Sequence, residues 1–472
     1  MNLSSFIKRS DSAIAPYTHD AVITATPDYV ARPKTVQDVQ DVIQHCHHHM
    51  IPLTVCGSRT SMTGSSVTDD GILMTLEGLS GVINIDTESR TVTVRPGTIL
   101  GDMQQQVESK GLYYPPSPTS RNECTVGATL ATNATGDSTF KYGTTRRYVR
   151  EITVLTADGT QHVIVRKGPP PNELKNSAGY FINGEEIDLF IGSEGTLGVI
   201  VEAKLALIER PDAVMTFMIP FPTNNDALHF ISNYKDFSDL TPRTMEFIDK
   251  ATAKIMSQSN GFPKLPENAR AFVICQQEFT KGSEEDCLDS WFSALGTTLT
   301  RCKAPQLTNF ITVAQSDKDQ SRIAAWRHHI PSHVSEIHRT LQTQGGGKIG
   351  TDWWVPLPRM IEMMNFAYTE SDKLNIPYIA FGHLGNGHPH FNYFARNAAE
   401  KSRAYSLVLD CCRMAVSLGG GVAGEHGIGK IKHDLLKIQH SPEVIQKMIA
   451  LKQKWDPLWI LGRGNIFTKP NT

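Results

Sequence analysis

The segment at residues 382–392, GHLGNGHPHFN, constrains the fold more than any other stretch of the chain. The pair Asn386-Gly387 lies between two strand-like runs, IPYIAF and FNYF, and an Asn-Gly pair in that setting favours a two-residue hairpin turn. Counting outward from such a turn pairs His383 with His390 on one face of the hairpin, with their Cβ atoms about 5 Å apart. Two imidazoles at that spacing can bind one metal ion.

A second glycine-rich segment, GGGVAGEHGIGK at residues 419–430, contains the adjacent pair Glu425 and His426. This segment can supply a third metal ligand and a general base. Two histidines and one carboxylate leave coordination positions open, which is typical of a catalytic metal site rather than a closed structural one. The alternative is that His383 and His390 form a polar cross-strand pair and that His426 lies in a solvated turn.

Length and charge limit the function classes. A chain of 472 residues is long enough for two or three domains. With 46 Lys and Arg against 48 Asp and Glu, the net charge of -2 implies no bulk attraction to nucleic acid or to an anionic membrane. The sequence contains neither a secretory signal nor a run of about eighteen apolar residues, so we expect a soluble protein.

The cysteines indicate a reducing compartment. All eight are scattered without a CxxC pair, which argues against a zinc ribbon or an iron–sulfur site. Cys411 and Cys412 are adjacent in the amphipathic run SLVLDCCRMAVSL. Free cysteine is usually buried, and we expect both in a helix core.

A helix is predicted within residues 35–50, TVQDVQDVIQHCHHHM, with Thr35 as its N-cap. Cationic or dipolar side chains are favoured at a helix C-terminus, where this helix carries four histidines. We therefore interpret these histidines as structural residues rather than as a metal-binding tract: His45, His47, His48 and His49.

Two turns of small residues lie next to strand-like runs in the first 210 residues. The segment IPLTVCGSRTSMTGSSV runs from a short strand into the first turn, and IGSEGTLG at residues 191–198 precedes the strand GVIVEAKLALI. Small residues let backbone N–H groups converge on an anion. This pattern predicts an α+β domain of a size suited to a nucleotide. From Pro211, strand and helix patterns alternate and predict a separate sheet domain.

Five motifs, taken in the order in which they occur along the chain, resemble those of FAD-linked oxidases of the vanillyl-alcohol oxidase type. The resemblance is to the branch of D-lactate, glycolate and D-2-hydroxyglutarate dehydrogenases. CGSRTSMTGSS resembles the pyrophosphate loop, and PPSPTS with TVGATLATNATG (residues 115–136) resembles the flavin-facing segment. YGTTRRYVREITVLTADG and IGSEGTLGVI resemble the next two cofactor segments. GHLGNGHPHFN and GGGVAGEHGIG resemble the metal and catalytic segments. The resemblance covers nearly the whole chain.

The resemblance implies an α+β fold in three parts. Residues 1–210 would form a PCMH-type FAD-binding domain of two α+β subdomains. Residues 211–420 would form a cap domain on an antiparallel sheet, which contains the substrate site. Residues 421–472 would form a C-terminal segment that packs on the FAD domain.

The resemblance also implies roles for single residues. His383, His390 and Glu425 would bind a divalent ion (Zn, Mn or Fe), the two histidines would also face the substrate, and His426 would be the catalytic base. Arg327 is the best match to an arginine that meets the substrate carboxylate. The positions expected to contact FAD are Gly57, Ser58, Arg59, Thr60, Ser61, Gly64, Pro118, Thr119, Ser120, Thr125, Gly127, Ala128, Asn133, Gly136, Glu194, Gly195, Thr196, Gly198 and Ile200.

The chain departs from its relatives in the substrate region. Relatives usually read G-D-G-N where this chain has residues 385–388, so a carboxylate is lost and His388 adds a third imidazole, whose role as a ligand stays open. Gly350 stands where some relatives carry a lysine, two residues before Asp352. The pyrophosphate loop has no histidine, the residue to which some relatives attach FAD covalently, so we expect non-covalent FAD.

The expected reaction is the oxidation of a D-2-hydroxy acid to the 2-oxo acid with reduction of FAD. D-lactate is the first expectation, then D-2-hydroxyglutarate or glycolate. The ion would lower the pKa of the substrate hydroxyl, His426 would take its proton, and Arg327 would bind the carboxylate through two N–H groups. Since the sequence contains no cysteine cluster or haem motif, the electrons would leave to a separate acceptor, such as a quinone, an electron-transfer flavoprotein, a cytochrome or an iron–sulfur subunit.

We expect a cytoplasmic location and leave open a peripheral contact with the inner membrane and a homodimer. Three other functions stay open as well. A non-redox enzyme similar to alkylglycerone-phosphate synthase would bind FAD without being reduced by hydroxy acids. A metallohydrolase would use the two histidines and the glutamate but would not need the cofactor turns. A flavin-binding subunit of a larger redox complex would not turn over alone.

Overall fold

The computed structural model describes residues 7–172, 175–237 and 239–469. The chain divides into two compact units. The first contains the described residues of Met1–Gly136, Gly143–Arg210 and Ala423–Thr472, and the second those of Asp137–Tyr142 and Pro211–Val422. In this described part of the chain, no helix is both long enough and apolar enough to span a membrane.

The first unit contains two main sheets and a short strand pair. Its strands are β1 (Ile7–Lys8), β2 (Tyr29–Ala31), β3 (Leu53–Cys56), β4 (Ile72–Thr75), β5 (Val82–Asp86), β6 (Thr91–Val94), β7 (Leu112–Tyr113), β8 (Val149–Leu155), β9 (Gln161–Val165), β10 (Val199–Ala206) and β11 (Ile208–Glu209). One sheet has the order β1-β2-β4-β3, with β2, β4 and β3 parallel. The other is antiparallel in the order β5-β6-β10-β8-β9, and β11 pairs with β7.

Helices cover these sheets and connect their strands. Numbered along the whole chain, those of the first unit are α1 (Asp11–Ile14), α2 (Val36–His49), α3 (Leu100–Glu108), α4 (Val126–Thr132), α6 (Glu186–Phe190), α13 (His433–Gln439) and α14 (Pro442–Trp455). Two 3₁₀ turns, Ala15–Tyr17 and Thr145–Tyr148, complete the described elements of this unit.

Helix α2 forms as its sequence predicts. The side chain of Thr35 accepts a hydrogen bond from the backbone N–H of Asp38, whose carboxylate accepts one from Thr35 N in return. Such a cap stabilises a helix by about 1 kcal/mol. The apolar face packs into a core shared with β3 and β4 through Val39, Val42, Ile43 and Cys46. Burial of each of the three aliphatic side chains adds roughly 1.5–3 kcal/mol.

The second unit is built on one antiparallel sheet of seven strands. They are β12 (Ala213–Phe221), β13 (Pro242–Asp249), β14 (Ala271–Phe279), β15 (Thr312–Ala314), β16 (Gly347–Gly350), β17 (Tyr378–His383) and β18 (His388–Ala395). Their order in the sheet is β15-β12-β14-β13-β17-β18-β16. The predicted alternation of strands and helices after Pro211 is confirmed.

The helices of this unit pack on the sheet and include the long α10. They are α5 (Thr139–Tyr142), α7 (Asn224–Ser232), α8 (Lys250–Met256), α9 (Glu284–Arg301), α10 (Asp317–Gln342), α11 (Met360–Leu374) and α12 (Ala398–Ser417). The 3₁₀ turns are Tyr234–Asp236, Pro305–Phe310, Leu357–Arg359 and Leu384–Asn386. Cys411 and Cys412 are buried in α12, as expected.

The hairpin of β17 and β18 differs from the predicted one in register. His383 lies opposite His388, and Phe381 lies opposite His390, so the predicted direct pairing of His383 with His390 was wrong by two residues. Side chains alternate along a strand, and a shift of two residues therefore keeps each side chain on its face. The three histidines still share one face, with His383 and His390 as diagonal neighbours.

The turn itself explains the shift in register. Leu384–Asn386 forms a 3₁₀ turn, and Gly387 follows it with a φ of +64°. The N–H of Gly387 bonds to Leu384 O at 2.9 Å, and its carbonyl accepts from the N–H of Val355 at 3.0 Å. The loop thus has four residues instead of two, and a contact with a distant part of the unit holds it.

We expect Gly387→Ala to destabilise the second unit by about 1–3 kcal/mol, because alanine is strained at positive φ and a Cβ at this position would lie 1.9 Å from Val355 O. The matched control is Gly296→Ala in helix α9, where no atom lies within 4 Å of the added Cβ. In this control, the free energy of unfolding should rise by about 0.4–1 kcal/mol. Urea unfolding measures both changes, and equal effects would contradict the observed turn.

Candidate functional site

Three imidazoles lie together on one face of the β17–β18 hairpin. The ring centroids of His383 and His390 are 5.5 Å apart, and those of His388 and His390 are 4.6 Å apart. A ring nitrogen of His383 and one of His390 lie within 4.8 Å of each other. His383 is buried and His390 is half-buried. Within the second unit, the hairpin therefore places two imidazoles where both can bind one ion.

Glu246 in β13 links His383 to Arg327. Its Oε1 lies 2.5 Å from His383 Nδ1. Its Oε2 accepts hydrogen bonds from Arg327 Nε at 3.3 Å and from Arg327 Nη2 at 3.1 Å. A carboxylate on one ring nitrogen fixes the orientation of a histidine and makes the other nitrogen, here Nε2, the one that would bind an ion.

Glu246 is not among the site residues predicted from the sequence. The residue is 4% exposed, and it lies in the run TMEFID of strand β13 between the buried apolar residues Met245 and Phe247. A charged residue inside such a run is the signal that would have found it, because a buried carboxylate requires a cationic or hydrogen-bonding partner. Arg327 projects from α10, and its guanidinium also lies over the ring of Phe381, 4.9 Å from the ring centre.

His388 has a different partner from the other two histidines. Its Nε2 lies 3.2 Å from Asp352 Oδ1, and both side chains are buried. Asp352 belongs to the segment TDWWVP, in which the N–H of Trp354 bonds to Gly421 O. Thus His388 is held from behind by a carboxylate and lies beside His390.

In the first unit, three of the predicted cofactor segments meet around α4. A Cβ on Gly57 would lie 2.3 Å from Thr125 Oγ1, so only glycine permits this approach. The N–H of Gly192 bonds to Leu130 O at 2.9 Å, and the N–H of Glu194 bonds to Ala131 O at 2.8 Å. A closely packed, glycine-rich backbone of this kind suits a pyrophosphate group, and these residues fit FAD.

Three side chains that were predicted to contact the cofactor contact other residues of the protein. Arg59 lies over the ring of Tyr17, 4.5 Å from its centre. Thr196 Oγ1 bonds with Tyr180 Oη at 2.6 Å, and Asn133 Oδ1 accepts from Arg146 N at 2.9 Å. These three side chains stabilise the loops in which they lie.

The other predicted cofactor positions lie in the same three segments or next to them. The loop after β3 contains Gly57, Ser58, Thr60, Ser61 and Gly64. The segment through α4 contains Pro118, Thr119, Ser120, Thr125, Gly127, Ala128 and Gly136. The turn before β10 and its first residues contain Gly195, Gly198 and Ile200.

The loop that contains His426 is fixed to two of these segments. Glu194 Oε1 accepts from the N–H of Ile428 and Oε2 from that of Gly429, both at 2.8 Å. The hydroxyl of Thr63 donates to His426 O at 3.3 Å, and the N–H of Lys430 donates to Thr63 O at 2.9 Å. His426 is therefore positioned by the predicted cofactor loops of its own unit.

Glu425, next to His426, forms an ion pair with Lys175. The ammonium group donates to Glu425 Oε1, and the Lys175 side chain is 1% exposed. The loop sequence around Lys175 gave no sign of this partner, because the two residues are 250 positions apart. The buried ammonium group of Lys175 holds the carboxylate of Glu425 in one orientation.

Burial raises the pKa of Glu194 from 4.5 to about 7, although the N–H groups of Ile428 and Gly429 favour its charged form. A raised pKa in the folded state means that the contribution of Glu194 to stability is complete below pH 4.5 and is lost as the pH rises through about 7.

We expect Glu194→Gln to destabilise the first unit by about 1–3 kcal/mol, since the amide cannot accept from both N–H groups. The loss of stability should be larger at pH 5 than at pH 8. At pH 8 the buried carboxyl group of the wild type is ionised, and this already lowers the stability of the wild type. Urea unfolding at both pH values measures this difference, with the exposed Glu88→Gln as control. A larger loss at pH 8 would contradict the raised pKa.

Comparisons with known proteins agree with the motifs. The FAD binding domain family matches residues 27–164, and the family of FAD linked oxidases, C-terminal domain, matches residues 210–466. The glycolate oxidase subunit GlcD of Bacillus subtilis is 30% identical over 96% of this chain and 92% of its own length. The D-lactate dehydrogenase of Anaerostipes hadrus is 29% identical over 96% of this chain and 93% of its own.

A more distant relative and a solved structure extend this picture. The D-2-hydroxyglutarate dehydrogenase of Stutzerimonas stutzeri is 25% identical over 93% of this chain and 91% of its own length. A solved alkyldihydroxyacetonephosphate synthase matches with a TM-score of 0.70 and 17% identity, over 98% of this chain and 82% of that structure. At that identity the likeness concerns the fold alone. The FAD-binding fold expected from the motifs is confirmed.

Proposed function

The chain belongs to the FAD-linked oxidases, in the group of D-lactate, glycolate and D-2-hydroxyglutarate dehydrogenases, and we propose that it oxidises a D-2-hydroxy acid to the 2-oxo acid. D-lactate is the first candidate substrate, followed by D-2-hydroxyglutarate and glycolate. The observation that supports this most is the charged face of the second unit, where Glu246 joins the His383 imidazole to the Arg327 guanidinium. That face offers both a metal ligand and a cation for a carboxylate.

Arg327 is the proposed carboxylate-binding residue. Its planar guanidinium can hold a carboxylate through two parallel N–H bonds. Glu246 accepts from Nε and Nη2, which fixes the plane of the group and directs its remaining N–H donors away from Glu246. A bound 2-hydroxy acid would thus be oriented by one end while its hydroxyl lies toward the histidines.

A divalent ion, Zn, Mn or Fe, is proposed to bind His383, His390 and Glu425. Imidazole and carboxylate ligands suit all three ions. The carboxylate of Glu246 on His383 Nδ1 is the outer-shell contact that orients a metal-binding histidine. As a Lewis acid, the ion would lower the pKa of the substrate hydroxyl.

His426 is the proposed general base. Its loop is fixed by Glu194 and Thr63, so the imidazole is carried by the same structure as the cofactor segments. A base in a fixed loop would take the hydroxyl proton as the C2–H bond breaks.

FAD is proposed to be bound non-covalently, because no histidine occurs in the loop of residues 56–66. When bound, it accepts the two electrons of the oxidation. The electrons would then leave to a separate acceptor: a quinone, an electron-transfer flavoprotein, a cytochrome or an iron–sulfur subunit.

The experiment that tests this function is anaerobic addition of D- and L-2-hydroxy acids to the purified flavoprotein while its visible absorbance is followed. Bleaching by a D-acid and not by its L-enantiomer supports the proposal and identifies the substrate. A flavin that no acid bleaches would overturn it and would favour a non-redox enzyme on this fold.

Single variants should distinguish the proposed metal ligands from the proposed base. We expect His383→Ala and His390→Ala to lose the ion, because each removes one ligand. His426→Ala should keep both the ion and FAD while flavin reduction slows by roughly 100- to 10,000-fold, the usual effect of a positioned base. Elemental analysis and stopped-flow absorbance measure these quantities. Full metal content in both ligand variants would refute the metal site.

Arg327→Lys should raise KM by roughly 10- to 100-fold with FAD content unchanged, since an ammonium group cannot form the two parallel bonds to a carboxylate. Arg339→Lys, at an exposed position of the same helix, is the matched control and should behave as wild type. If KM is unchanged in Arg327→Lys, another residue binds the carboxylate.

A further inference from the structure

The last turn of helix α2 presents a group of imidazoles that the proposed function does not use. His45 and His49 are four residues apart and His48 lies between them, so all three share one face of the helix. The ring centroids of His45 and His49 are 4.6 Å apart, and those of His48 and His49 are 4.7 Å apart. His48 and His49 are exposed and His45 is half-buried.

The backbone that carries these rings is well anchored. The opposite face of α2 is packed in the core of the first unit, and Met50 ends the helix in a left-handed conformation, with its N–H bonded to Cys46 O and His47 O. The histidine side chains are therefore held at a fixed spacing by a capped helix end and do not lie on a fraying terminus.

The three imidazoles have few polar interactions with the rest of the described protein. Over the ranges 7–172, 175–237 and 239–469, the side chains of His45, His48 and His49 make no hydrogen bond or ion pair with any other residue. Neutral imidazole is the form of histidine that binds metals.

Although the sequence favours a structural role for the histidines at this helix end, the geometry leads us to propose that His45 and His49 bind a divalent transition-metal ion on the surface of the first unit. Two histidines at i and i+4 on one helix face are a known zinc-binding arrangement, and imidazole ligands suit zinc, nickel and copper ions. The negative end of the helix dipole favours a cation at the same place. Two protein ligands leave the other coordination positions to water, so this is an open surface site.

The proposed site is separated along the chain from the first cofactor loop. The four residues of β3, an extended length of roughly 13 Å, lie between the loop after α2 and Gly57, where the first cofactor loop begins. Binding at His45 and His49 should therefore leave the FAD content and the rate of flavin reduction unchanged. This inference does not depend on the proposed oxidation of a hydroxy acid.

Equilibrium dialysis of metal-free, full-length protein without an affinity tag against Ni²⁺ tests the site. Nickel is chosen because it does not oxidise the free cysteines. We expect His45→Gln and His49→Gln each to weaken one class of bound Ni²⁺ by at least about tenfold, since even the loss of an outer-shell partner costs metal affinity 10- to 100-fold. His48→Gln is the matched control and should change the affinity less than either.

Two results would overturn the proposal. One is Ni²⁺ binding in His45→Gln and His49→Gln with the affinity and number of sites of wild type. The other is a loss as large in His48→Gln as in His49→Gln, which would indicate non-specific attraction to a histidine-rich surface. His390→Ala run in parallel separates this site from the proposed catalytic ion, because the surface class should persist there. Thermal unfolding checks that each variant is folded.

Discussion

The buried carboxylate of Glu246 contacts two groups that the proposed chemistry requires, the imidazole of His383 and the guanidinium of Arg327. Removal of one partner from a buried ion pair usually costs about 3–5 kcal/mol, because the remaining charge is left without compensation. Glu246 and Arg327 are therefore interdependent, and the orientation of His383 depends on the same carboxylate. This one carboxylate places the proposed metal ligand His383 beside the proposed carboxylate-binding residue Arg327.

In the first unit, buried polar partners also hold the candidate site residues. Glu425 is paired with the buried Lys175, and the loop of His426 is held by the carboxylate of Glu194 and the hydroxyl of Thr63. In each case a buried polar group far away in the sequence fixes a residue that the proposed chemistry uses. Preorganisation of this kind is expensive to build but avoids reorganisation during the reaction.

Much of the fold was predictable because local rules agreed with the final structure. The cap of α2 at Thr35, the burial of Cys411 and Cys412, and the small-residue turns all follow from short-range patterns. The hairpin register was not predictable, because a bond between Gly387 and Val355, which are not neighbours in the sequence, holds a four-residue loop where Asn-Gly alone favours two. The partners Glu246 and Lys175 were missed for the same reason, being 137 and 250 residues from the groups they hold.

In the proposed reaction, the C2–H bond of a D-2-hydroxy acid breaks and two electrons pass to FAD. The most direct test is anaerobic stopped-flow reduction of the protein-bound flavin by the best D-2-hydroxy acid, compared with the same acid carrying deuterium at C2. If the protein carries out this reaction, both acids bleach the flavin, and the deuterated acid does so more slowly. A flavin that stays oxidised with every acid, in protein that holds its full complement of FAD and metal, would contradict it.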